Sequence, residues 1–287
     1  MTPMDDRPRW YDRMLTVDRR WIYAIMAVAV LIPAVFTFHV PVGVTHEVRA
    51  VHEFVDTLKP GDNILVAIDF DPSTMAELQP MTEAILHQAF SHGARVIITA
   101  LSQFGPAMAE DIITGVADKM GKKKAIDYTF LGYKPYPGIV ILAMGSDYRV
   151  AFPADYYGTP LDSIPMMRNV HNYKDVKAVI SLCAGNVADM WITFANAKYH
   201  VPVALGVTGV MASDYYPYLQ TGQVFGLIPG VKGAAEYEQL CGISGRGLSG
   251  IPYQVAAHLV ILGFMILTNI AYVAQRRARN RVGGVRR

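Results

Sequence analysis

The carboxylate pair Asp69 and Asp71, in the run NILVAIDFDPS over residues 63–73, is the part of this chain best suited to chemistry. An apolar stretch delivers the first acid, and one phenylalanine separates it from the second. Carboxylates so placed can divide labour: one attacks as a nucleophile, the other moves a proton, and a divalent cation can sit beside them. The structural alternative is that Asp71 or Ser73 caps the helix that follows. Other polar sets also follow apolar runs. They are Ser102 and Gln103; Gly145, Ser146 and Asp147; Cys183, Gly185 and Asn186; and Thr208, Ser213 and Asp214. In an open parallel sheet, ligands bind beyond the carboxyl ends of the strands. Asp147, Cys183, Asn186, Ser213 and Asp214 are therefore the expected binding residues, if the runs before them are strands.

The motif Asp69-Phe70-Asp71-Pro72-Ser73 resembles the opening motif of haloacid dehalogenase-type phosphohydrolases. That resemblance implies Asp69 as nucleophile, Asp71 as general acid/base, Mg²⁺ as cofactor and Asp147 as an aid in holding it. The chain departs from the family at Pro72, where glycine is usual, and at Ser73, where threonine is usual. Residues 180–185 (ISLCAG) faintly resemble caspase-type cysteine proteases, which would make Cys183 the nucleophile. The one nearby partner, His92, precedes a strand where that family's histidine follows one. Residues 201–216 faintly resemble the serine-bearing turn of signal-peptide-peptidase-A-like membrane proteases, which implies Ser213 as nucleophile. Asp214 and Tyr215 stand where those proteases carry two glycines.

Positioning these residues requires alternating strands and helices. Strands are expected over 63–69, 94–101, 128–131, 138–144 (GIVILAM), 178–182 and 201–207, each an apolar run of the kind buried on both faces. Helices are expected from a Thr74/Glu77 capping box to residue 91, and over 106–120, 187–199, 212–221 and 230–240. Residues 145–175 read as irregular, and 242–250 (GISGRGLSG) as a linker. The alternation predicts an α/β, Rossmann-like fold with a mostly parallel sheet and helices on both faces, as one domain over 39–250. The glycine-rich run 222–233 lacks the spacing of a phosphate loop.

Two apolar stretches flank that domain, at 21–38 and 251–273, and neither contains Asp, Glu, Lys or Arg. Each is long enough to cross a hydrocarbon core of about 30 Å. No small-residue cleavage site directly follows the first, so it reads as an uncleaved anchor. Arg7, Arg9, Arg13, Arg19 and Arg20 precede the first stretch. Arg276, Arg277, Arg279, Arg281, Arg286 and Arg287 follow the second. Positive residues stay inside, which places segments 1–20 and 274–287 in the cytoplasm and 39–250 outside the cell membrane. Residues 39–250 hold 15 Lys+Arg against 20 Asp+Glu, so the chain's +2 sums unlike parts. No nucleic-acid partner is expected, and the basic tail suits anionic membrane lipid.

Within the second stretch, Gln254, His258 and Asn269 share one helical stripe with Leu262 and Met265. Polar groups in lipid seek hydrogen-bond partners, so this stripe is expected to face protein. Tyr156, Tyr157, Tyr215, Tyr216 and Tyr218 lie in tyrosine-rich patches suited to an interface. Cys183 and Cys241 are the two cysteines; a bridge between them is allowed but makes no framework. The leading expectation is a non-enzymatic, two-pass membrane protein. Its outer domain binds or assembles, in a homo-oligomer or with other membrane proteins, without a cofactor. The competing expectation is a membrane-tethered hydrolase using Asp69, Asp71 and Mg²⁺.

Overall fold

The computed structural model describes residues 9–36 and 40–283, with side chains as far as residue 280. Arg7, Arg286, Arg287 and the last two residues of the first apolar stretch lie outside them. The chain divides into two compact units. One is residues 42–249; the other joins 1–41 with 250–287. The second unit opens with α1 (Trp10–Leu15) and α2 (Arg19–Val35). The Asp18 carboxylate accepts the Arg20 N–H at 2.9 Å and starts α2.

Residues 42–249 form a six-stranded, all-parallel α/β sheet in the order β3-β2-β1-β4-β5-β6. In chain order its elements are α3 (His46–Asp56), β1 (Asn63–Asp69), α4 (Met75–Ser91), β2 (Arg95–Thr99), α5 (Pro106–Lys119) and β3 (Tyr128–Phe130). Then come α6 (Pro137–Ser146), α7 (Tyr148–Ala151) and β4 (Val179–Cys183). A composite helix follows, made of α8 (Val187–Met190), a π-helical turn (Trp191–Asn196) and α9 (Ala197–Tyr199). The unit ends with β5 (Val203–Val207), α10 (Ala212–Gln220), β6 (Gly226–Pro229) and α11 (Gly230–Leu240).

Burial on both faces explains the continuous apolar strands. Ile64, Val66 and Ile68 of β1 enter a core shared with α3, α4, α5 and α11. Leu65 and Ala67 point the other way, into a core with α6, α10 and Trp191. The sheet's outer edges are occupied. On the β3 side, Ala125 and Tyr156 donate N–H to the Tyr128 and Phe130 carbonyls, both at 2.8 Å. On the β6 side, Leu227 and Ile228 are fully buried, backbone included, and α3 packs so close over the strand that a side chain at Gly226 would meet Val51.

Three local expectations are corrected. Residues 138–144 are not a strand: they belong to α6, whose first position is Pro137, a residue preorganised for a helix start. A strand not foreseen, β6, lies inside the glycine-rich run. The capping box at Thr74 does not form, because Thr74 makes no side-chain cap bond and Glu77 reaches elsewhere.

The expected linker 242–250 is also partly helical. α12 runs from Arg246 to Gly283, through the whole second apolar stretch. Residues Arg246–Asn280 form the one helix among the described residues long and apolar enough to cross a membrane, and only 6% of its most apolar window is buried. Two spans were expected. α2 has 17 residues, a rise of about 26 Å, short of a hydrocarbon core of about 30 Å. Within this unit, the Gln275 amide donates to Asp12 at 2.9 Å.

Candidate functional site

The strand order reverses between β1 and β4, the position at which doubly wound sheets open a crevice at their carboxyl edge. Asp69 ends β1 and Cys183 ends β4, and the two are register partners. The structure therefore brings together one acid and one thiol of the expected set. Asp69 is 3% exposed. Its Oδ1 accepts the Leu101 N–H at 2.6 Å, and its Oδ2 accepts the Trp191 indole N–H at 3.1 Å. Burial pushes its carboxyl up to about 6, against the pull of these hydrogen bonds. Cys183 is fully buried and donates its S–H to the Gly185 carbonyl at 3.0 Å. Burial, reinforced by the neighbouring Asp69, pushes that thiol up to about 12, so it is held in its unreactive form.

Asp71 does not share a site with Asp69. Its carboxylate accepts the Ser73 N–H at 2.8 Å and the Ser73 hydroxyl at 2.6 Å, an Asx turn leading into α4. The Ser73 hydroxyl and amide hold it below the usual carboxylate range. Asp147 also leaves the expected set, because a helix precedes it and it sits at the far end of α6 from β3. It starts α7 by accepting the Arg149 N–H at 2.8 Å, with the Arg149 guanidinium 3.4 Å away. Burial works to raise its carboxyl, but the bonds from Arg149 outweigh it and the net direction is down.

A Mg²⁺ held between Asp69 and Asp147 does not fit these residues. One carboxylate has both oxygens committed, and the other is paired with arginine. Among the described residues, no group of three His, Cys, Asp or Glu side chains is placed to hold a metal ion.

The remaining candidates scatter. Asn186 is exposed ahead of α8 and makes no cap bond. Ser213 is exposed on the first turn of α10 and donates to its neighbour Asp214 at 3.3 Å. His92 ends α4 and bonds Asp56 at 3.1 Å, at the opposite edge of the sheet from Cys183. Both cysteines are free. They enter different cores, Cys183 with β4 and Cys241 beside α11.

Of the tyrosines, Tyr215 is buried and belongs to the core instead of a surface. Tyr218 packs against it, with ring centroids 6.2 Å apart. Tyr156, Tyr157 and Tyr216 stay exposed. The Tyr216 hydroxyl donates to Glu47 at 3.0 Å, and Lys124 sits 3.4 Å over the Tyr157 ring. His258 and Asn269 are exposed on α12, where the Asn269 amide donates to the Met265 carbonyl at 2.7 Å.

Three features of this edge have no local signature in the sequence. Trp191 supplies the second donor to Asp69. The Glu77 carboxylate crosses to the loop after β5 and accepts the Gly209 N–H at 2.8 Å; a Cβ at Gly230, where φ is +55°, would press on the same oxygen. Below Asp69, Ala67 is flanked in the ladder by Thr99 and Ser181, whose buried hydroxyls have no hydrogen-bond partner in the protein.

No family model, curated protein or solved structure matches this chain. At the carboxyl edge between β1 and β4 stands an acid whose hydrogen bonds, among the described residues, come from Leu101, Ser102 and Trp191.

Proposed function

We propose that this chain is a two-pass membrane protein whose extracytoplasmic α/β domain is a binding and assembly module, working in a homo-oligomer or with other membrane proteins. The observation that carries this reading is α12. Its span is apolar and almost wholly exposed, and its stripe of Gln254, His258 and Asn269 is exposed as well. A helix of that kind belongs in lipid, and polar groups in lipid find partners on neighbouring helices. α2 serves as the second span, with Arg19 and Arg20 snorkelling at its start and the bilayer thinning to its length. Both arginine clusters then lie in the cytoplasm.

The test is the mass and composition of the particle extracted gently from its native membrane. A discrete multimer, or a constant set of co-purifying membrane proteins, supports the module. A lone monomer refutes it.

A second reading, a tethered phosphohydrolase, draws on one observation. Asp69 lies at the ligand-binding edge with its carboxyl pushed up to about 6, a value suited to proton transfer near neutrality. Mg²⁺-dependent turnover of a phosphate ester that disappears in Asp69→Asn would support it. The commitment of Asp71 to its own turn weighs against it.

A further inference from the structure

Asp69 joins three connections that leave the same edge of the sheet. Its own strand supplies the carboxyl, Leu101 comes from the connection after β2, and Trp191 from the composite helix after β4. Oδ1 takes the Leu101 N–H at 2.6 Å and Oδ2 the indole N–H at 3.1 Å, with the Ser102 N–H as a further donor from the connection after β2. An ionised carboxylate accepts on both oxygens, whereas a protonated one carries an O–H that must itself donate. Neither the Leu101 N–H nor the indole N–H can accept it. Protonation therefore weakens the bonds this carboxyl accepts, and the long one on Oδ2, to Trp191, is the one that yields. Trp191 opens the π-helical turn Trp191–Asn196, a geometry rare in helices and frequent at functional sites.

We propose that Asp69 is a proton-operated latch at the carboxyl edge of the sheet between β1 and β4. Ionised, it holds Trp191 and the π turn against β1; protonated, it keeps Leu101 and lets the turn loosen. The surrounding groups leave this role to Asp69. From β4, Cys183 faces it, held as a thiol by burial. Beyond Cys183 lie Tyr215 of α10, which burial also keeps protonated, and the exposed Asp189 of α8. The connection after β2 presents backbone N–H groups at Leu101 and Ser102. On the acid's own loop, Asp71 is turned onto Ser73.

Trp191 is itself the reporter, since the other tryptophans, Trp10 and Trp21, lie outside the 42–249 unit. The experiment follows the indole N–H resonances of the full chain in lipid nanodiscs, with Trp10→Phe and Trp21→Phe to isolate Trp191. As pH falls through about 6, that resonance moves as a weakened hydrogen bond requires, and its protection from exchange, relative to the intrinsic rate at each pH, falls. In Asp69→Asn the transition is absent. Should that variant fail to fold, Trp191→Phe decides, with the Leu101 amide as reporter: losing a bond to the charged form moves the midpoint upward. A Trp191 resonance that stays flat over one pH unit either side of the midpoint overturns the latch. So does a transition that survives Asp69→Asn, or a midpoint unmoved in Trp191→Phe.

Discussion

Glu238 and Leu248 are ten residues apart and joined by a 2.7 Å hydrogen bond, in which the acid accepts the backbone N–H. The other Glu238 oxygen takes the Gly247 N–H at 2.9 Å. A buried carboxylate thus satisfies two of the orphan donors at the start of α12. Gly245 and Gly247 are small by necessity, because a Cβ at either would press on this carboxylate. Glu238→Ala should lower the unfolding free energy of the domain by about 1–3 kcal/mol. Chemical denaturation in detergent would measure it, and an unchanged midpoint would show that the cap is dispensable.

Asp69 should give the domain an unusual pH dependence. Its folded value of about 6 stands above the ordinary 3.8. The stabilisation linked to its proton is therefore complete below 3.8 and is lost as pH rises through about 6. The loss amounts to about 3 kcal/mol at about 1.4 kcal/mol per unit. Comparing urea midpoints of wild type and Asp69→Asn across that window isolates the effect. The wild type should gain on the variant as pH falls, and the reverse order would contradict the buried carboxyl.

The unpartnered hydroxyls beside Ala67 make a signed prediction. Thr99→Val removes a buried polar group that bonds nothing in the protein, at nearly constant shape. It should be neutral or stabilising by about 1 kcal/mol. Ser181→Ala should behave in the same way. Destabilisation of either variant by more than about 1 kcal/mol would mean that the hydroxyl is hydrogen-bonded in the folded protein.

Asp71→Ala should lower the stability of the domain only slightly, since the side chain serves a turn at the surface. Under the hydrolase reading the same substitution would abolish turnover. Metal-dependent phosphatase assays of the variant separate the two.

If the chain works as an assembly module, His258→Leu and Asn269→Leu should weaken or dissolve the extracted multimer while leaving the thermal unfolding of the 42–249 domain where it was. Native mass measurement reads the first effect and calorimetry the second. A multimer that survives both substitutions would move the interface off this stripe.

The strands were legible where burial on both faces leaves a continuous apolar run. β1, β2, β4 and β5 all read that way. Residues 138–144 show the limit of that signal, because a buried helix can be as uniformly apolar as a buried strand. Pro137 at the helix start was the cue that could have settled it. That one substitution of helix for strand also removed Asp147 from the carboxyl edge. β6 is short and set among glycines, so its pattern carried little information. The position of Asp69 at a strand end was readable; its partner was not. Trp191 lies 122 residues away, and no local spacing encodes such a pairing. α2 showed its apolar character in sequence, but its helix stops at Val35.

Because both flanks of the sheet are already bonded or covered, another chain cannot add to it as a seventh strand. Main-chain templating, the route by which exposed sheet edges recruit one another with little regard for sequence, is closed to this domain. Any association it makes has to be written in side chains, and so can be tuned, or lost, one residue at a time.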